Sequence, residues 1–137
     1  MENTLILLKP DAVVKGVCGE VIARFEKRGL KIIGMKMLQL SKEQATVHYS
    51  EHQGKPFFEE LVTFITSGPL VAMAVRGENA VKLARTMMGT TNPLDAVPGT
   101  IRGDLATNMK NNIIHGSDGP MSAEREIKIF FTTSELY

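Results

Sequence analysis

Leu70-Val71-Ala72-Met73-Ala74-Val75 is apolar at all six positions and lies between Ser67-Gly68-Pro69 and a charged stretch that begins near Glu78. A short apolar run bounded by turn formers reads as the central strand of a sheet, and the rest of the chain can be read outward from it. On its N-terminal side, Phe57, Phe58, Leu61, Val62 and Ile65 recur at helical spacing behind Pro56, which stands at a first helical position. On its C-terminal side, Glu78 to Met88 reads as a helix closed by Gly89.

The same alternation continues further out. Thr4 to Leu8 reads as a short buried strand that Lys9-Pro10-Asp11 breaks. In Gly19 to Arg28, Val21, Ile22 and Phe25 fall at helical spacing, with Gly29 placed as a C-terminal cap. From Lys31 to Leu40, Ile33, Met35 and Met37 alternate with Gly34 and Lys36, the period of a half-buried strand. Ser41-Lys42-Glu43-Gln44 has the form of a capping box, which predicts a helix carrying His48, Tyr49 and His52. After Gly89 a long irregular stretch runs to about Asn112, and a loop of that length in so small a domain is usually functional. Ser122 is placed to cap a short helix, and Ile127 to Phe131 reads as a final strand. The order strand, helix, strand, helix pair, strand, helix, loop, strand predicts an α/β or α+β sandwich. At 137 residues it forms one domain over 1–137, with a core of its own and no room for a second.

A formal net charge of +1 provides no global field for nucleic acid or an anionic membrane, so any anion site must come from local clustering of Lys and Arg. Cys18 is the only cysteine, which excludes an intrachain disulfide and a cysteine-rich metal site and suits the cytoplasm. Leu5 to Leu8 is too short for a signal-peptide core or a membrane span, and no export signal is visible.

The chemistry concentrates in Asn111-Asn112-Ile113-Ile114-His115-Gly116-Ser117-Asp118. Neutral imidazole keeps an unshared pair on one nitrogen, and a hydrogen bond to the other fixes the tautomer and raises basicity, so a histidine held in this way can be a nucleophile. A buried histidine with a satisfied ring nitrogen is the bland alternative. Two further stretches weigh against it: Thr91-Asn92-Pro93 with Pro98-Gly99-Thr100-Ile101-Arg102-Gly103-Asp104 downstream of Arg85, and Leu7-Leu8-Lys9-Pro10-Asp11 near the start.

Together with Tyr49 and Phe57, these residues resemble the nucleoside diphosphate kinase family from Thr4 to about Leu136, without insertion or deletion. The resemblance implies a ferredoxin-like α+β core: a four-stranded antiparallel sheet covered by helices on one face, a helix pair between the second and third strands, and a long loop before the histidine. It implies transfer of the terminal phosphate of a nucleoside triphosphate to a nucleoside diphosphate, in ping-pong fashion, through His115 as nucleophile. Glu126 then orients the imidazole, with the Ser117 hydroxyl near it. Lys9, Tyr49, Arg85, Thr91 and Arg102 hold phosphates, a task for which the planar, permanently charged Arg fork is suited. Asn112 and Lys9 meet the sugar hydroxyls, Phe57 stacks on the base with Leu61 beside it, and Met109 approaches by its backbone. Since every base has a π-face, broad base specificity follows. Mg²⁺ is expected to arrive on the nucleotide phosphates, with Asp118 or Asp11 assisting and no direct protein ligand. The resemblance also implies a homo-oligomer, a hexamer with a tetramer as the alternative; the chain stops at Tyr137, whereas many members continue with a tail that contacts neighbouring subunits.

No Gly-x-x-x-x-Gly-Lys-Ser/Thr loop and no protein-kinase signature is present. Two rival readings use the same residues. His48-Tyr49-Ser50-Glu51-His52 fits His-x-x-Glu-His, a zinc-protease pattern, and a non-catalytic nucleotide-sensing domain on the same fold needs no nucleophile at all.

Overall fold

The computed structural model describes residues 1–137. Four strands form one sheet: β1 (Glu2–Leu8), β2 (Lys31–Leu38), β3 (Leu70–Gly77) and β4 (Ile114–Gly116), in the spatial order β2-β3-β1-β4 with every pair antiparallel. Seven helices connect and cover them: α1 (Pro10–Lys15), α2 (Cys18–Lys27), α3 (Lys42–His48), α4 (Phe58–Ile65), α5 (Ala80–Met88), α6 (Ile101–Leu105) and α7 (Pro120–Phe130). None is long and apolar enough to cross a membrane.

Successive strand side chains point to opposite faces, and here both faces are buried. Ile6 and Leu8 of β1 and Val71, Met73 and Val75 of β3 join α1, α2, α5 and α6 in one core. Leu5 and Leu7, with Leu70, Ala72 and Ala74, join α3, α4 and α7 in a second. Helices thus cover both faces of the sheet, not one as expected. A strand buried on both sides has no polar face to alternate, which explains why the two central strands read as continuous apolar runs. β2, at the edge, does not keep Ile33, Met35 and Met37 on one buried face: a bulge between Ile32 and Gly34 shifts the register, and Ile33 is buried while Met35 and Met37 are exposed.

Local signals set most boundaries. Ser41 Oγ accepts from Gln44 N while the Gln44 side chain accepts from Ser41 N, the reciprocal cap that starts α3. That helix ends at His48; Tyr49 is its cap and Ser50–His52 is a separate 3-10 turn, so the three residues do not share one helix. α4 begins at Phe58 instead of Pro56, and α5 at Ala80 instead of Glu78. Lys9-Pro10 ends β1 as expected, but Pro10 also opens a short helix at its first position, where its missing N–H is no loss. The long stretch after Gly89 contains α6, capped by Thr100 Oγ1 accepting from Gly103 N at 3.0 Å.

The expected final strand over Ile127–Phe131 is wrong. Ile127 to Phe130 belong to α7, where Ala123, Ile127 and Phe130 are buried at helical spacing and Pro120 occupies the first turn, and Phe131 is its extended C-cap. Ile127-Lys128-Ile129-Phe130 alternates by accident of where Lys128 meets solvent. Strand β4 lies earlier, in the His115 segment itself, and pairs with β1 through Ile6↔Gly116, Leu7↔His115 and Leu8↔Ile114.

Candidate active site

Because β4 alternates, His115 and Ser117 face α7 while Ile114 packs in the opposite core. His115 Nε2 lies 3.0 Å from Glu126 Oε1, and Ser117 Oγ donates to the same oxygen at 2.7 Å. Ser117 Oγ in turn accepts from Leu5 N at 3.2 Å, which ties the triad to the central strand. Burial works to raise the pKa of Glu126, but the hydrogen bond and charge of His115, with the Ser117 hydroxyl, outweigh it and hold the carboxyl below its ordinary range. An ionised carboxylate can only accept, so in a neutral imidazole the single ring proton sits on Nε2 and the lone pair on Nδ1, which has no hydrogen-bond partner within the chain.

The turn into β4 is strained and then fixed. Ile113 has φ +73°, rare for a β-branched residue, and Ile114 N donates to Asn112 O at 2.8 Å across it, a γ-turn. Such a conformation costs on the order of 1–3 kcal/mol and persists only when its surroundings over-determine it. Here Asp11 Oδ2 accepts from Ile113 N (2.9 Å) and Ile113 O accepts from Lys9 N (2.9 Å). Arg102 completes the clamp, with Nε on Asn112 O (3.2 Å), Nη2 on Ile114 O (2.7 Å) and Nη1 on Gly89 O (3.0 Å). Asp11 therefore serves the backbone through Oδ2, while its Oδ1 has no partner.

Gly116 allows the close approach on the other side. A Cβ there would meet Met88 Sδ at 2.5 Å, so glycine leaves room for the Met88 side chain of α5 against β4, and Arg85 Nη1 of the same helix donates to Gly116 O at 3.0 Å. Arg102 is 5% exposed; burial and then the neighbouring Arg85 charge push its pKa down to about 10. Burial pushes Lys9 down to about 8, with Asp11 opposing and Arg102 adding to the fall. None of Lys9, Arg85 or Arg102 has a carboxylate within 4.0 Å, whereas Arg24, Lys36, Arg125 and Lys128 do. Three neighbouring cations, none of them in an ion pair, form an anion site.

Asn112 is buried, donates from Nδ2 to Thr91 O at 3.1 Å, and has no partner for Oδ1. Tyr49 packs beside His48, whose ring stands edge-on 4.9 Å from His115; burial and then the Glu126 charge raise Tyr49 to about 12. Phe57 is 44% exposed with its ring 5.4 Å from His52, Leu61 is half-buried, and Met109 is exposed. Asp118 is exposed and has no bonded partner. His48 and His52 do not form a zinc pair: one ring faces His115 and Phe130, the other Tyr49 and Phe57, and nowhere do three or more His, Cys, Asp or Glu side chains gather as a metal would need. The sequence reading did not place His48 against His115 or Arg125 beside Glu126. The only available signal for Arg125 was its position next to a carboxylate already singled out.

The sequence pattern of the nucleoside diphosphate kinase family matches residues 2–136. A nucleoside diphosphate kinase of Pelotomaculum thermopropionicum is 58% identical over 136 residues, covering 99% of this chain and 91% of that protein. One from Archaeoglobus fulgidus is 55% identical over 136 residues, covering 99% and 90%. Among solved structures, a nucleoside diphosphate kinase of Halobacterium salinarum in complex with CDP superposes with TM-score 0.97 at 46% identity, covering 99% of this chain and 91% of that one. The Aquifex aeolicus enzyme does so with TM-score 0.97 at 41% identity, covering 99% of both chains. With the family pattern spanning nearly every residue and relatives above half identity over the same length, this chain belongs to the nucleoside diphosphate kinase family.

Proposed function

We propose that this chain transfers the terminal phosphate of a nucleoside triphosphate, typically ATP, to a nucleoside diphosphate through phosphorylated His115. The observation that carries this reading is the 3.0 Å contact of His115 Nε2 with Glu126 Oε1: a carboxylate there keeps the ring proton on Nε2 and leaves the lone pair on Nδ1 for attack. Nδ1 attacks the terminal phosphorus, the bond to the bridging oxygen breaks, and the nucleoside diphosphate leaves. A second diphosphate then attacks the same phosphorus through its own terminal oxygen, and the P–N bond breaks. The Nε2 proton stays in place throughout, and Glu126 stabilises the positive charge that develops on the ring.

Lys9, Arg85, Arg102, Thr91 and Tyr49 bind the phosphates, where fixed charges stabilise the transferring group without reorganising. Asn112, whose buried Oδ1 lacks a partner, and Lys9 meet the sugar hydroxyls; Phe57 stacks on the base, with Leu61 beside it and the Met109 backbone adjacent. CDP in the Halobacterium salinarum complex supports a nucleotide in this cleft. A divalent cation, Mg²⁺, belongs to the substrate: the groups facing the phosphates are cations, and the exposed Asp118, without a bonded partner, is free to assist. The enzyme is a homo-oligomer, a hexamer in preference to a tetramer, for which Met35 and Met37 on β2 and Leu94 and Val97 in the loop offer apolar surface. A single cysteine and a nucleoside triphosphate substrate suit the cytoplasm.

The test is the intact mass after mixing the pure protein with ATP and Mg²⁺ without an acceptor. One added phosphoryl group, labile to acid, stable to alkali and removed by GDP, is expected. No added mass, or a label that survives acid, would defeat the phosphohistidine reading.

A further inference from the structure

Glu126 is 5% exposed, yet only one of its oxygens is engaged within the triad. Oε1 receives both His115 Nε2 and Ser117 Oγ, while Oε2 accepts no hydrogen bond. The one permanent cation within 4.0 Å of Oε2 is Arg125, whose Nη2 stands 3.8 Å away. The same Nη2 lies 2.9 Å from Glu51 Oε1. Arg125 therefore bridges α7 to the 3-10 turn Ser50–His52, which stands in the chain between Tyr49 and Phe57.

We infer that Arg125 is a positioning residue for phosphoryl transfer, holding Glu126 so that Oε1 stays aligned with His115 Nε2, and fixing the nucleotide-facing turn against the catalytic helix through Glu51. The inference rests on the phosphohistidine reading above. Other groups facing Glu126 cannot substitute. From α3, His48 is driven to about 3 by burial and then by the His115 charge, so it is neutral at working pH. Tyr49, raised to about 12, keeps its proton. From β4, His115 is the group being positioned and Ser117 carries no charge.

The expected effect on stability is small and on chemistry larger. Glu51 is 60% exposed in its side chain, and an ion pair open to water contributes little to folding. Glu126 lies on the shielded side of the same guanidinium. Removing the cation leaves Oε2 without a charged partner, loosens the carboxylate, and makes it easier to protonate.

The test compares Arg125→Met, Arg125→Lys and Glu51→Gln for kcat, KM, pH profile and thermal unfolding. Arg125→Met is expected to lower kcat about 3- to 30-fold at neutral pH and to move the acid limb of kcat upward by about half to one pH unit, the discounted effect of one partly exposed cation. Arg125→Lys should restore most of both, while Glu51→Gln should raise KM about 2- to 3-fold and leave the acid limb in place. The inference is overturned if Arg125→Met keeps the wild-type kcat and acid limb, if only its KM changes, or if its lost activity matches its lost folded fraction. Labelling by ATP separates the two readings. Wild type that fails to take up phosphate defeats the phosphohistidine reading, whereas labelled wild type beside an Arg125→Met variant of unchanged pH profile defeats the role of Arg125 alone.

Discussion

At the end of the site proposed to hold the phosphates Arg102 is 5% exposed and bonds to three backbone carbonyls, whereas at the end proposed to stack the base Phe57 is 44% exposed on a surface turn, with the ring of His52 5.4 Å away. The first region is over-determined: a strained turn at Ile113 is held from one side by Asp11 and Lys9 and from the other by Arg102. The second offers a flat apolar face and little geometry. Chemistry that depends on placing a nitrogen in line with phosphorus needs the former, because small misplacements cost large factors in rate. Recognition of any base by its π-face needs only the latter. Substitutions at the two ends should differ in kind as well as size.

The largest effect belongs to His115→Ala. Losing the nucleophile should lower transfer by at least about 10⁴-fold and abolish labelling by ATP, while nucleotide still binds to Lys9, Arg85 and Arg102. Isothermal titration with nucleoside diphosphate beside a labelling assay checks both halves. Wild-type labelling in this variant would mean that another residue is the nucleophile.

Lys9→Met should separate function from stability. Removing one preorganised cation from the phosphate site is expected to cost about 10²- to 10³-fold in kcat. The nucleotide-free fold, however, should gain about 1–3 kcal/mol at pH 7, since desolvation of the half-buried lysine outweighs the nearby Asp11 charge. Its folded pKa, about 8, lies below the usual 10.5, so the folded state binds the proton more weakly than the unfolded chain. The penalty is therefore full below pH 8 and fades as pH rises from 8 to 10.5. Chemical denaturation of both proteins at pH 7 and pH 10 should show the gap closing; a less stable variant at pH 7 would refute the strain assigned to Lys9.

These contrasts also mark what was legible in the chain. The strands at Leu5 and Leu70, the capping box at Ser41 and the caps at Gly29 and Gly89 are local signals that depend on neighbours a few residues away, and they were read correctly. The site residues were named through the family motif, and the structure brings His115, Ser117 and Glu126 into contact, and Arg102 near Lys9 and Arg85. What stayed hidden depends on tertiary contact. Ile127 to Phe131 mimics a strand until Ala123 and Glu126 are seen to share its helix. Nothing near Asp11 in the chain signals that its Oδ2 accepts from the amide of Ile113, 102 residues away. Helices on the second face could not be seen from one-face family expectation, although two wholly apolar strands pointed there.

Glu126→Gln tests the middle of the range. The amide can still accept from Nε2 but carries no charge to match the ring as it becomes positive, so kcat should fall about 10- to 100-fold, or ~1.4 to 2.7 kcal/mol of barrier. The wild-type acid limb reports loss of the carboxylate. Because the folded pKa of Glu126 is held below its unfolded value, the contribution is present above the unfolded pKa and disappears as pH falls through the folded one. That component of the limb should be missing from the variant; a pH profile identical to wild type would show that Glu126 does not govern it.

The smallest expected effect is at the base end. Phe57→Ala removes a half-exposed stacking surface, so nucleotide affinity should weaken by about 1 to 2 kcal/mol, toward the lower part of the range for base stacking because the ring is open to water on one side. The loss should be nearly the same for ADP, GDP, CDP and UDP, since stacking carries no hydrogen-bond code, and kcat at saturation should change little because Lys9, Arg85 and Arg102 still hold the phosphates. Thermal unfolding should stay close to wild type, as expected when an exposed side chain outside the core is shortened. A base-dependent loss would place a discriminating contact beside Phe57. A large fall in kcat or in the unfolding temperature would instead show that the turn carrying Phe57 is coupled to the phosphate end, and the division of the cleft into a rigid and a permissive half would not stand.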